Sequence, residues 1–138
     1  MYPEQVVAPM RADLTNVGFQ ELKTAAEVDA ALQNHTGTTL VVVNSVCGCA
    51  AGAARPGIIQ SLEHGKKPAH LVTVFAGMEV EAVKRAREYC LPYPPSSPSI
   101  ALFKDGQLVH IIERHHIEGR PAQLIAANLK AAYDEYCQ

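Results

Sequence analysis

The chain has 138 residues, 48% of them hydrophobic, with four cysteines and a formal net charge of −2. That length fits a single domain able to bury a core without disulfide staples, while the near-neutral charge leaves no electrostatic footprint for nucleic acid. No apolar run approaches the ~20 residues of a membrane span, and Met1-Tyr2-Pro3-Glu4-Gln5 lacks the basic-then-apolar pattern of a secretory signal. A cytoplasmic location follows, in which four cysteines read as reactive, metal-binding or plain buried thiols rather than as a disulfide framework.

In chain order, the four-residue spacing of Val6, Met10 and Leu14 predicts a short N-terminal helix with Pro9 near its start. Val17 to Leu22 reads as a short strand. Thr24-Ala25-Ala26-Glu27 has the capping-box pattern, opening a helix with Val28, Ala31 and Leu32 on one face and Gly37 as its stop. Leu40 to Val46 is largely apolar, as in a strand buried on both faces. A helix from about Cys49 to Leu62 ends at His64-Gly65. Pro56 within it would clash with the carbonyl of Gly52, four residues back, so a kink is expected.

His70 to Phe75 is the next buried strand, followed by a helix from Glu79 to Cys90 with Val80, Val83 and Tyr89 inward. The proline-rich stretch Leu91 to Pro98 can continue neither helix nor ladder. Two strands then flank Lys104-Asp105-Gly106-Gln107, whose Asp-Gly centre signals a hairpin turn. The last helix begins near Pro121, a residue favoured at the first helical position, with an apolar stripe of Ile125, Leu129, Ala132 and Tyr136. Parallel strands joined by right-handed helical crossovers, closed by a hairpin and a helix, form an α/β sandwich.

The chemistry concentrates in Cys47-Gly48-Cys49, where the Leu40–Val46 strand runs out and a helix begins. Helix N-termini stabilise negative charge, and the thiolate is the nucleophilic and metal-binding form of cysteine. Two thiols so placed suggest redox chemistry or metal capture; the bland alternative is a pair of small buried apolar residues.

The element order, with cysteines leading into the first crossover helix and Ser97-Pro98 just before the hairpin, resembles the thioredoxin fold. The chain departs from ordinary thioredoxins in having no tryptophan and one residue, not two, between the cysteines. A narrower resemblance spans nearly the whole chain. It is carried by Tyr2-Pro3, Pro9-Met10-Arg11, Gly18-Phe19, the run from Asn44 to Gly52, Ala54-Arg55-Pro56, Pro94 to Ser99, and Arg114 to Arg120. These look like the bacilliredoxin family of YphP-like proteins.

The resemblance implies a thioredoxin-like α/β fold, with a mixed central sheet, helices on both faces and an N-terminal extension. It implies a cytoplasmic thiol–disulfide oxidoreductase that removes the small thiol bacillithiol from protein mixed disulfides, with disulfide isomerase activity also attributed to the family. By motif position Cys47 attacks and Cys49 resolves. Pro98 takes the place of the fold's cis-proline, shaping a substrate groove and leaving the backbone of Ser97 to pair with an extended peptide. No bound cofactor or metal is implied: bacillithiol is a substrate, the partners are bacillithiolated or disulfide-containing proteins, and a homodimer is left open.

Beside that resemblance, Gly48 suits a small CxC disulfide ring because it lacks a Cβ. Strain in such a ring favours the dithiol and raises the reduction potential, making a poor general reductant. Arg55 reads either as a group that lowers a cysteine pKa or contacts a bacillithiol carboxylate, or as a solvated helix charge. His115 and His116 either tune a thiol, complete a metal site or sit solvated in a loop. Cys90 and Cys137 read as bystanders. The competing function is a metal-binding module using Cys47, Cys49 and a histidine. Thiolates suit soft metals, but CxC is tighter than the usual zinc-ligand spacing.

Overall fold

The computed structural model describes residues 1–33 and 36–138. Helix α1 (Glu4–Thr15) runs through Pro9 and buries Val7, Arg11 and Leu14, while Val6 is exposed. The inward stripe is therefore not the expected Val6–Met10–Leu14 spacing. The reason is a buried arginine: Arg11 donates to both carboxylate oxygens of Glu79 at 2.8 and 2.7 Å, to Glu4 at 3.1 Å and to Glu21 at 3.2 Å. Its guanidinium also lies 5.2 Å from the centre of the Phe75 ring. A charged residue at the centre of an inward face hides that face from an apolar count.

Strand β1 keeps only Gln20–Glu21 of the expected Val17–Leu22 run. Gly18, at φ +105, turns the chain just before it. Helix α2 (Ala25–Leu32) opens on the expected capping box, with Thr24 Oγ1 accepting the Glu27 N–H and the Glu27 carboxylate accepting the Thr24 N–H. It ends at Leu32, short of Gly37, whose φ of +88 instead leads the chain into strand β2 (Thr38–Asn44).

All seven residues of β2 are buried. It ends before the expected Val46, because the Asn44 side chain accepts the Ser45 N–H at 2.8 Å and turns the backbone out of the ladder.

After β2 the chain forms a π-helical turn, Ala50–Ala54, and then helix α3 (Arg55–Ser61). The Arg55 N–H donates to the Ala50 carbonyl, five residues back. Here the disturbance expected from Pro56 takes the form of a widened turn: the proline sits in the first turn of α3, and the π register accommodates the missing N–H and the bulk of the ring. Strand β3 (His70–Phe75) lies where expected. Helix α4 (Val80–Tyr89) buries Ala82, Val83 and Ala86, but Val80 is 68% exposed rather than inward.

Strands β4 (Ser99–Lys104) and β5 (Gln107–Ile112) make the expected hairpin, with Asp105 and Gly106 at φ 51 and 80, the pair of left-handed residues a tight two-residue turn needs. Arg114–Ile117 is a short helix, α5, where a loop was expected. Helix α6 (Ala122–Tyr136) has Pro121 at its N-cap rather than at the first helical position. It buries Ile125, Leu129, Ala132 and also Tyr133, whose hydroxyl meets Ser61 Oγ at 2.9 Å.

The sheet order is β1-β3-β2-β4-β5, parallel from β1 to β2 and antiparallel from β2 through β5. Alternation along the central strands splits the core in two. Leu40, Val42, Ile100 and Leu102 pack with Leu14, Ile58, Ile125 and Leu129 of α1, α3 and α6. Val41, Val43, Ala101 and Phe103 pack with Val28, Leu32, Val83 and Ala86 of α2 and α4. This is the mixed sheet with helices on both faces that the sequence implied, and it delivers the C-terminal end of β2 to the surface.

Candidate active site

The turn that carries the cysteines is held from below by Arg55. Its side chain is 4% exposed, and its Nη1 donates to Asn44 Oδ1 at 2.9 Å and to the Ser45 carbonyl at 2.8 Å, while Nε pairs with Asp13 at 3.1 Å. Asn44 Nδ2 in turn donates to the Met10 carbonyl of α1 at 3.1 Å. Arg55, considered for contact with a thiol or its carboxylate, is thus a brace between β2, α1 and α3. Its Nε and Nη1 are committed beneath the turn and it is not among the groove-lining residues, so it positions the site without lining it.

Above this brace, the Cys47 N–H donates to Ser45 Oγ at 3.2 Å, and the Cys47 carbonyl accepts the N–H groups of Ala50 and Ala51 at 3.1 and 3.2 Å. The two cysteines are free thiols with their sulfurs 2.7 Å apart. Burial works to raise the Cys47 pKa, but hydrogen bonding to Cys49 and Ser45, the Ala50 N–H and the Arg114 charge together hold it below the ordinary thiol range. Cys49 moves the other way, pushed up by burial and then by its hydrogen bond to Cys47 and the charge there. One thiol therefore ionises first, and the other keeps its proton and donates it to that thiolate.

Gly48 is outside the left-handed region, and a Cβ there would meet nothing within 4 Å. The unusual backbone expected of Gly48 is not needed in this dithiol form.

Cys47 lines a groove of about 680 Å³ together with Ser97, Arg114, Arg87 and the exposed apolar residues Val80 and Leu91. Val80 is thus a groove residue, which accounts for its departure from the core. The Ser97–Pro98 peptide bond is cis, as the resemblance implied. Pro98 itself is buried and stands behind the groove lining rather than in it. The Ser97 carbonyl, expected to be left for a peptide, accepts Arg114 Nη1 at 3.2 Å, and Ser96 Oγ accepts the Arg114 N–H at 2.7 Å.

Arg114 therefore ties the Ser96–Ser97 loop to α5 and brings a cation to both cysteines. Sequence reasoning missed this residue. It lies within the Arg114–Arg120 block, but without α5 nothing in its spacing pointed back to the thiols.

His115 and His116 are exposed. Among the described residues they gather with Glu113, donor atoms within 4.8 Å of one another, and neither cysteine belongs to that cluster. The combined cysteine–histidine set of the metal-module alternative is not what the fold assembles. Cys90 is pushed up to about 11 by burial, and Cys137 is buried and also raised by burial. Both keep their protons, in keeping with bystander thiols.

A low-pKa thiol beside a second thiol, at the open end of a buried strand in a β1-β3-β2-β4-β5 sheet, defines a thiol–disulfide oxidoreductase of the thioredoxin-like class. Solved structures agree on the fold. A reduced thioredoxin pre-protein from Schistosoma mansoni superposes with a TM-score of 0.56 at 19% identity, covering 84% of this chain and 95% of its own. A mutant thioredoxin from Halobacterium salinarum gives 0.58 at 17%, covering 86% and 89%.

A family model described as "Disulphide isomerase" matches residues 2–137. A bacilliredoxin from Cytophaga hutchinsonii is 66% identical over 98% of this chain and 99% of its own length. Another, from Halalkalibacterium halodurans, is 56% identical over 99% and 95%. The chain belongs to the bacilliredoxin family. Among the described residues, no helix is long and apolar enough to cross a membrane.

Proposed function

We propose that this protein removes bacillithiol from protein mixed disulfides through Cys47. The observation that carries the reading is the divided pair of thiols. Cys47 is favoured as thiolate and opens onto a groove, while Cys49, 2.7 Å away, keeps its proton. The similarity to proteins named bacilliredoxin supports bacillithiol as the small thiol.

In the first step the Cys47 thiolate attacks the bacillithiol sulfur. A Cys47–bacillithiol disulfide forms, the bond to the protein substrate breaks, and the released protein thiolate takes a proton from water. The substrate is reduced and Cys47 oxidised. In the second step either an external thiolate attacks the bacillithiol sulfur, forming a disulfide with it and releasing Cys47 as a thiolate, or Cys49, after losing its proton, attacks the Cys47 sulfur and expels bacillithiol as a thiolate. The Cys49 route leaves a Cys47–Cys49 disulfide, which an external thiol must then reduce. Exchange between two protein disulfides through Cys47 would give isomerase activity by the same chemistry, in line with the description of the matching family model.

Incubating the reduced protein with a bacillithiolated substrate and following the return of the substrate's free thiol tests this. Wild type is expected to restore the thiol, and Cys47→Ala to lose at least ~100-fold in rate, since it lacks the thiolate nucleophile. Cys47→Ala working as well as wild type would contradict the reading.

A further inference from the structure

Most of the arginines near the site already have acid partners. Arg11 pairs with Glu4, Glu21 and Glu79, Arg55 with Asp13, Arg85 with Asp29 and Glu88, and Arg114 with Glu118. Arg87, on α4, has no acid partner among the described residues, and its Nε is buried with no hydrogen-bond partner. Buried donors in native proteins are almost always satisfied, so an orphan of this kind marks a place that a ligand, ion or water completes.

Arg87 shares the wall of the Cys47 groove with Arg114 and Lys84. With Arg114 and Ser97 it also borders an adjoining hollow of about 440 Å³. Two of the acids on these walls are paired elsewhere, Glu88 with Arg85 and Glu118 with Arg114. What remains beside Cys47 is Arg87, a planar guanidinium with no acid partner among the described residues, the group whose fork matches a carboxylate.

We propose that Arg87, assisted by Arg114, is a carboxylate-binding subsite that holds the small-thiol half of the mixed disulfide. The inference rests on the reading of Cys47 as the nucleophile toward mixed disulfides, and it names the ligand class as a low-molecular-weight thiol bearing a carboxylate. A mixed disulfide offers two sulfurs, and the one attacked decides the products. Anchoring the acid end of the small thiol places its sulfur at Cys47 and makes the protein sulfur the leaving group. The Cys47–small-thiol bond then forms as the small-thiol–protein bond breaks, with the electron pair departing on the protein sulfur, which is protonated by water.

The test uses the full chain and a carrier protein with one cysteine, charged either with β-mercaptopropionate or with β-mercaptoethanol. These adducts are similar in size and differ in the carboxylate. The readout is the ratio of the rates at which the carrier thiol is freed from the two, which cancels any general loss in a variant. Arg87→Gln is expected to lower that ratio about tenfold relative to wild type, the scale of a hydrogen bond to a charged group. Arg87→Lys should restore part of it, and added salt should reduce the wild-type ratio.

An unchanged ratio in Arg87→Gln, with wild type freeing both adducts, would overturn the subsite and leave the proposed function standing. Failure of wild type on both adducts and on a bacillithiolated carrier would overturn the two together.

Discussion

Cys47 and Cys49 share one turn and yet hold their protons differently, and the cause is who stands around each sulfur. Hydrogen bonding with Cys49, Ser45 and Ala50 and the Arg114 guanidinium favour the Cys47 thiolate, whereas Cys49 sits against the charge that Cys47 develops. Removing the cation disfavours the thiolate, so Arg114→Gln should move the Cys47 ionisation to higher pH. Site-resolved alkylation with iodoacetamide across pH, read by mass spectrometry, measures this. In wild type the first rise should belong to Cys47 and fall below the ~8.5 of a free cysteine. In Arg114→Gln that rise should come later, and an unmoved midpoint would remove Arg114 from the account. Because Arg114 is exposed, added salt should narrow the difference between the two proteins. Arg55 offers the contrast at this scale: a cation whose Nε and Nη1 hold Asn44, Ser45 and Asp13 shapes the turn and leaves the thiols to another residue.

At the scale of elements, the helix that follows the cysteines is fixed by its contact with α6. A Cβ on Gly57 would lie 2.7 and 2.8 Å from Ile125 Cβ and Cγ2 and 3.0 Å from the Ala122 carbonyl. Ile125 Cβ is rooted to the α6 backbone, and neither it nor the carbonyl can swing aside. Gly57→Ala should therefore cost about 1–3 kcal/mol, the usual range for overpacking a core contact. A lower denaturant midpoint with an unchanged slope would register it, and an unchanged midpoint would show that α3 and α6 part freely.

Elements whose signals are local were legible in the chain. The Thr24–Glu27 capping box, the Asp105–Gly106 turn, and the apolar runs of β2 and β3 each depend on neighbours in sequence. The inward face of α1 was not legible, because Arg11 owes its burial to Glu21 and Glu79, which other segments supply. Val80 misled for the opposite reason: an apolar residue on an amphipathic helix signals burial equally well whether it meets a core or a groove. The disturbance at Pro56 was foreseeable from its ring, but its form as a π turn depends on how Ala50–Ala54 seats against α6.

The whole molecule converges four segments on one groove: the turn after β2, helix α4, the loop before β4, and α5. The sheet order makes this possible by placing β2 between β3 and β4, so that the end of β2 and the start of β4 lie at the same edge. The cysteine pair and Ser97-Pro98 could be found along the chain because short motifs carry them. Arg114 and Arg87 could not, since their relation to Cys47 exists only once α4 and α5 are folded against the groove.

The claim that Cys47 takes the small thiol, and not the protein, is tested most directly with Cys49→Ala, which lacks the neighbouring thiol that would clear an adduct. After exposure to a bacillithiolated protein, its intact mass should rise by one bacillithiol, and fragmentation should place that mass on Cys47. A covalent complex with the substrate protein, or an adduct on Cys90 or Cys137 with Cys47 unmodified, would contradict the account.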